Sequence, residues 1–150
     1  MILEAITYYC NYQLRSHKEV RNKLYELGCA KPEVEKHIAD LIQAGLLNEE
    51  KYARAIARGK FRMKQWGRIK IVQQLKFNQV SDYCIKKALT EIDPDEYYET
   101  LKKLALKKWE SLRSERQKPI KQKKTYSFLA QKGYEGSLIT EAINEIINIG

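Results

Sequence analysis

The chain has 150 residues, 43% of them hydrophobic and 31% charged, and a formal net charge of +9. Seven glycines, three prolines and few β-branched runs argue against a turn-rich β protein and favour an all-helical one. No apolar run approaches the roughly 20 residues of a membrane span, so no membrane association is expected, and three scattered cysteines without a C-x-x-C pair do not suggest a disulfide framework or a zinc site.

The N-terminal "MILEAITYYC" lacks the basic start and cleavage site of a secretion signal, and a cytoplasmic protein with buried free thiols at Cys10, Cys29 and Cys84 is expected. Ser16–Glu19, "SHKE", has the form of a capping box, in which the Ser oxygen takes a free amide and the Glu reaches back. Val20, Leu24 and Leu27 then share one face, and Gly28 can close that helix. Pro32 suits the first turn of the next helix, which carries Val34, Ile38, Leu41 and Ile42 and stops at Gly45. Asn48 can cap a helix that runs to about residue 65, where Trp66-Gly67 breaks it. Ser81 caps a helix containing Ile85, Ala88 and Leu89. Asp93-Pro94 opens a long helix through about Arg116, and a last helix spans about Ser137 to Ile147.

One pattern recurs along these elements. Val20, Leu24, Gly28, Cys29, Val34 and Ile38 shift by 51 residues onto Ile71, Leu75, Gln79, Val80, Ile85 and Leu89. A further shift of 54 reaches Thr125, Leu129, Gly133, Tyr134, Ile139 and Ile143. The spacing predicts three tandem three-helix repeats, over 1–47, 48–92 and 93–150, each with a longer leading helix. Such units bury little alone and must pack on their neighbours, which predicts an elongated, curved all-α molecule.

Charge is unevenly spread. Residues 51–81 hold nine bases and no acid, and residues 102–124 hold ten bases against Glu110 and Glu115. A one-sign field of this kind suggests a polyanionic or acidic partner. On a helical wheel of 51–65, Tyr52, Ile56, Gly59 and Met63 form the expected buried stripe. Lys51, Arg54, Arg58 and Arg62 form a second stripe, with Phe61 beside it as an expected exposed contact residue. Lys64, Arg68 and Lys70 extend the basic surface, while Trp66 reads as a packing wedge. The reading requires that these arginines are not neutralised by carboxylates of their own chain.

The residues carry a resemblance. "YCNYQLRSHKEVRNKLYELG" (9–28), "GLLNEEKYARAIARGKFRMKQWGRIKIVQQLK" (45–76), "VSDYCIKKAL" (80–89) and "FLAQKGYEGSLITEAI" (128–143) resemble the RecX family, regulators of the RecA recombinase. The segment 45–76 is the most specific of the four. The resemblance implies three tandem three-helix repeats and binding to the RecA–DNA filament in its helical groove. It also implies restraint of the RecA ATPase and of strand exchange, a place in DNA repair and recombination, and no catalysis. Two departures stand out: Gln79 replaces the glycine of the other repeats, and "RSERQKPIKQKK" (113–124) is unusually basic and reads as loosely structured.

Two other function classes are weighed against this one. Helix-turn-helix pairs with basic charge allow weak, nonspecific binding of single- or double-stranded DNA, although "SDYCIKKALTEI" offers few groove-reading side chains. The charge pattern alone would also fit a helical adaptor for an acidic protein. An enzyme is not expected, because His17 and His37 are isolated and no phosphate loop or metal-ligand cluster occurs. No cofactor is expected, and the protein should act as a monomer.

Overall fold

The computed structural model describes residues 1–149, and among these every regular element is an α-helix. In chain order they are α1 (Ile2–Tyr12), α2 (His17–Glu26), α3 (Lys31–Gln43), α4 (Glu49–Lys64), α5 (Arg68–Phe77), α6 (Asp82–Leu89), α7 (Pro94–Ser111), α8 (Lys118–Gln131) and α9 (Gly136–Ile149). The local signals act as physical chemistry requires. Both arms of the capping box form, Glu19 N–H donating to Ser16 Oγ at 3.0 Å and Ser16 N–H to Glu19 Oε1 at 2.9 Å. Asn48, Ser81 and Asp93 each accept an otherwise unpaired amide of the following first turn.

Two expectations about the elements need correction. The helix opened by Asp93-Pro94 ends at Ser111, and Leu112–Glu115 turns back through a Glu115 N–H to Leu112 C=O bond of 3.0 Å. Lys118 then starts α8, so much of the basic 113–124 segment is helical, with Pro119 in its first turn. The leading helix is also not longest in every repeat, since α1 has 11 residues against 13 in α3.

The repeat is real down to its hydrogen bonds. Val20, Leu24, Ile71, Leu75, Thr125 and Leu129 are fully buried, as the two shifts require. Thr125 stands where the other repeats have aliphatic residues, and its hydroxyl is satisfied by Lys121 C=O at 2.9 Å. The second helix of each repeat closes on a left-handed residue: Gly28 (φ 96°), Gln79 (φ 59°) and Gly133 (φ 100°). The next residue donates back to the leucine five positions earlier, Cys29 to Leu24, Val80 to Leu75 and Tyr134 to Leu129, at 3.0–3.2 Å. This is a Schellman closure with its buried apolar pair, made three times. Gln79 therefore departs from the glycines in residue type but not in conformation, at a cost of about 1 kcal/mol for a residue with a Cβ.

The described chain divides into two compact units, one formed by 1–58 with 74–91, the other by 59–73 with the chain from Ile92 onward. In the first, Ile6, Cys10, Val20, Leu24, Cys29, Val34, Ile38, Leu41 and Leu47 form a core. The turn after α5 seats on the start of α2: Lys18 Nζ donates to Phe77 C=O at 2.8 Å and lies over the Phe77 ring at 4.0 Å. Tyr52 plugs this junction, accepting from Asn78 Nδ2 at 2.8 Å, and burial pushes its phenol up to about 12.

In the second unit the α4–α5 turn lies directly on the α8–α9 turn. Gly67 N–H donates to Lys132 C=O at 2.7 Å, Ile69 N–H to Gly133 C=O at 2.9 Å, and Tyr134 OH to Gln65 C=O at 2.8 Å. A Cβ on Gly67 would sit 2.3 Å from Gly133 backbone, and one on Gly133 would sit 2.4 Å from Lys70 Cβ. Tyr97 is the plug here. Its OH accepts from Arg68 N–H at 2.9 Å and donates to Glu135, which also takes Arg68 NH1 at 2.8 Å. The Arg68 guanidinium stacks on the Tyr97 ring at 3.9 Å.

Gly67→Ala is expected to lower unfolding stability by about 3 kcal/mol, because backbone on both sides blocks relief of the clash. Urea unfolding followed by circular dichroism measures it, and a loss below about 1 kcal/mol would mean that the two turns can part. Glu135 supplies a pH test. Burial pushes its carboxyl up, but the hydrogen bonds from Tyr97 and Arg68 outweigh burial and hold it below the ordinary 4.5. A depressed carboxylate stabilises fully above its unfolded pKa and loses that contribution as pH falls from about 4.5 through the folded value. Wild type should therefore lose more stability between neutral pH and pH about 3 than Glu135→Gln does; equal acid losses would show that Glu135 contributes nothing there.

Candidate functional site

Helix α4 presents its residues differently from the wheel drawn on the sequence. Ala53, Ala57 and Phe61, spaced i, i+4, i+8, are buried together with Tyr52, whereas Met63 is 84% exposed. The small alanines let neighbouring elements approach, so the buried face is rotated from the Ile56–Met63 line. Phe61, expected as an exposed contact residue, is 4% exposed, and its ring packs 5.8 Å from Tyr97, itself 5.1 Å from Tyr134. Phe61 is a core residue of the second unit.

The arginines also divide. In the first unit Arg54 and Arg58, one turn apart on α4, converge on Glu91 just beyond α6. Each makes an NH1 contact of 2.6 Å with one of its two oxygens. Arg54 Nε also holds Glu50 at 3.0 Å. The Arg58 and Arg54 guanidiniums keep Glu91 below the ordinary carboxylate value, and Glu91 and Glu50 push Arg54 up. Two guanidiniums and two carboxylates sum to zero, so this part of the stripe is an intramolecular clamp that ties α4 to the end of α6. In the second unit Arg68 is likewise taken by Glu135 and Tyr97. For Arg54, Arg58 and Arg68 the requirement of free cations is not met. Their geometry explains it: each guanidinium faces a carboxylate fixed by the fold, to which it donates short, charge-assisted bonds.

Other expected residues of the second unit remain available. Arg62 and Lys64 are exposed and, among the described residues, form no ion pair. Lys70 and Lys60 place their ammoniums 4.6 and 4.9 Å over the half-buried Trp66 ring, which orients both without neutralising either. Trp66 is thus a support for two cations as well as a wedge.

A second cationic area forms where α7 packs against α8, within the same unit. One depression of about 580 Å³ is lined by Lys108, Lys123, Lys124 and Phe128, and an adjoining one of about 280 Å³ by Lys107, Lys108, Lys132 and the same Phe128. Neither lining contains a carboxylate. The composition of 102–124 signals this charge, and Pro119 with the Thr125–Leu129 register signals the helix, but reading 113–124 as loose hides the surface the two make together. Among the described residues no three His, Cys, Asp or Glu side chains gather as a metal site, and no helix is long and apolar enough to cross a membrane.

Comparison with known proteins places these features. The family model for "RecX, second three-helix domain" matches residues 48–89, and that for "RecX, third three-helix domain" matches 95–143. A regulatory protein RecX of Clostridium perfringens is 32% identical over 135 residues, covering 89% of this chain and 63% of that protein. The chain thus spans less than two thirds of that relative. A regulatory protein RecX of Pelodictyon phaeoclathratiforme is 30% identical over 136 residues, covering 89% of this chain and 82% of the other. The crystal structure of RecX from Lactobacillus salivarius superposes with a TM-score of 0.87 at 27% identity, covering 96% of this chain and 93% of that one. Two family domains matched in tandem, on a fold of three iterated three-helix units, lead to one assignment: this chain belongs to the RecX family.

Proposed function

We propose that this chain is a non-catalytic regulator that binds the filament of RecA on DNA and restrains its ATP hydrolysis and strand exchange. The observation that carries the reading is family membership, whose named relatives are regulatory proteins. The free cations of the second unit supply a physical basis. Arg62, Lys64 and Lys70 can meet acidic protein surface or phosphate without first breaking an internal ion pair, whereas Arg54, Arg58 and Arg68 cannot. We assign to the protein the repeat boundaries 1–47, 48–92 and 93–150, a cytoplasmic location and a monomeric state. On this reading the iterated helices span neighbouring filament subunits and resist the shape changes that accompany nucleotide turnover.

The test is ATP hydrolysis by purified RecA on single-stranded DNA. Stoichiometric chain should slow it, and an unchanged rate would overturn the proposal. Arg62→Glu combined with Lys64→Glu should weaken the effect at least about tenfold in required concentration, two reversed contacts at roughly 0.7 kcal/mol or more each, with the thermal melt unchanged. Arg54→Glu combined with Arg58→Glu should instead lower the melting temperature, since both new carboxylates face Glu91. Retained inhibition by the Arg62/Lys64 variant would remove those residues from the binding surface.

A further inference from the structure

We infer that the lysine-walled depressions between α7 and α8 form a sequence-independent binding site for the phosphodiester backbone of nucleic acid. The site adjoins the α4–α5 cations invoked above, Lys132 Nζ donating to Lys64 C=O at 3.2 Å, but its wall is made by different lysines. Five lysines, Lys107, Lys108, Lys123, Lys124 and Lys132, line the two depressions, which share one aromatic residue, Phe128. The Lys108 and Lys132 ammoniums lie 5.0 and 6.0 Å from its ring centroid. Among the described residues the one ion pair that any of them makes is Lys124 with Glu115, at 4.0 Å. Five like charges lining one surface repel one another, and a single carboxylate offsets only one of them; a polyanion offsets the rest.

The contrast within the same unit sharpens the point. The groove on the other side of α7, between α7 and α9, also carries lysines, Lys102 and Lys103, but Glu99, Glu110 and Glu145 line it with them. Lys102 is there bound to Glu99 and Glu145, at 3.5 Å each. One face of α7 is internally neutralised and the opposite face is not.

The chemistry of the wall suits a repeated backbone charge rather than one fixed group. All five cations are lysines, compact point charges on flexible stems, which can follow successive phosphates without a set bidentate geometry. From Lys123 to Lys132, just past the end of α8, the chain rises about 14 Å, roughly four nucleotide steps of 3.4 Å measured along a duplex axis. Gln65, Ser111, Ser127 and Gln131 on the rims add neutral groups suited to phosphate and sugar oxygens. The inference rests on the proposed function only in taking the filament's DNA as the natural polyanion; binding to bare strands tests it apart from RecA.

The experiment is fluorescence anisotropy of a labelled oligothymidylate, and of a duplex of mixed sequence, titrated with the full chain over a range of salt. The variant Lys107→Gln/Lys123→Gln/Lys124→Gln replaces three exposed side chains. A control, Lys31→Gln/Lys36→Gln/Lys51→Gln, removes the same charge from exposed positions of the first unit. The α7–α8 variant should bind both probes at least tenfold more weakly than wild type at low salt. Its slope of log affinity against log salt should be shallower by about 2 on the single strand, three contacts at roughly 0.7 each. The control should stay within about threefold of wild type, the effect of a screened long-range field alone. Unchanged affinity and slope in the α7–α8 variant would overturn the assignment, as would equal losses in both variants, which would trace binding to net charge. Binding to anionic phospholipid vesicles but to neither oligonucleotide would also overturn it. RecA ATPase inhibition measured in parallel reports on the proposed function independently, since it can survive loss of this site and can fail while bare-strand binding persists.

Discussion

The left-handed residue after the second helix of each repeat is the constraint on which the architecture turns. It ends a helix, satisfies that helix's last carbonyls and exposes a short stretch of backbone in a fixed direction. In the second unit that backbone is what the preceding repeat uses: Gly67 and Ile69 donate to Lys132 and Gly133 with no side chain between the two turns. In the first unit the partner at this place is Ser16, whose side chain is already closed into its own capping box, and contact passes through Lys18 and Tyr52 instead. The same topological joint is therefore made once by backbone and once by side chains. That difference accounts for the residue types at the turn. Gly133 has Lys70 Cβ at van der Waals overlap distance from any added carbon, while Gln79 is exposed and has only its φ to accommodate.

A tyrosine completes each joint. Tyr52 and Tyr97 come from the leading helix of the following repeat and bring a buried hydroxyl to the first turn of the preceding repeat's second helix. Tyr97 does so most fully, accepting a hydrogen bond from the Arg68 amide that helix geometry leaves unpaired and donating one to the Glu135 carboxylate. A hydroxyl can do both at once, which a carboxylate cap cannot, and the ring supplies the apolar area that Phe61 and Tyr134 share.

What could be read from the sequence, and what could not, follows from the range of each interaction. The repeat register, the caps and the helix stops are set by residues a few positions apart, and the spacing of Val20, Ile71 and Thr125 revealed them. The buried face of α4 was misread because Ala53 and Ala57 carry little hydrophobic signal. Yet small side chains are what permit close approach, while the more apolar Met63 lies in solvent. The start of α8 was missed because its first turn is polar and basic, and among its residues only Thr125 and Leu129 are fully buried. The fate of the arginines was not legible at all. Their acids lie 33 residues away for Arg58 and 67 for Arg68, so a segment that is one-sign along the chain is not one-sign in space.

That last distinction separates two uses of positive charge. Four of the eight arginines go to the architecture: Arg21 to Glu35, Arg54 and Arg58 to Glu91, and Arg68 to Glu135, with nearest approaches of 2.6–3.1 Å. Lysine pairs, where they occur, are looser, at 3.5–4.0 Å. The planar fork loses little freedom in matching a carboxylate that the fold already holds still, so folding recruits it first. Lysine keeps more of its rotamer freedom and hydration, and a looser pair gains little, so most lysine charge stays at the surface. The sorting leaves two populations of cations: arginines whose charge is spent on carboxylates of the fold, and lysines whose charge, for the most part, is not. The net charge of +9 is thus less informative than its partition between fork and point charge.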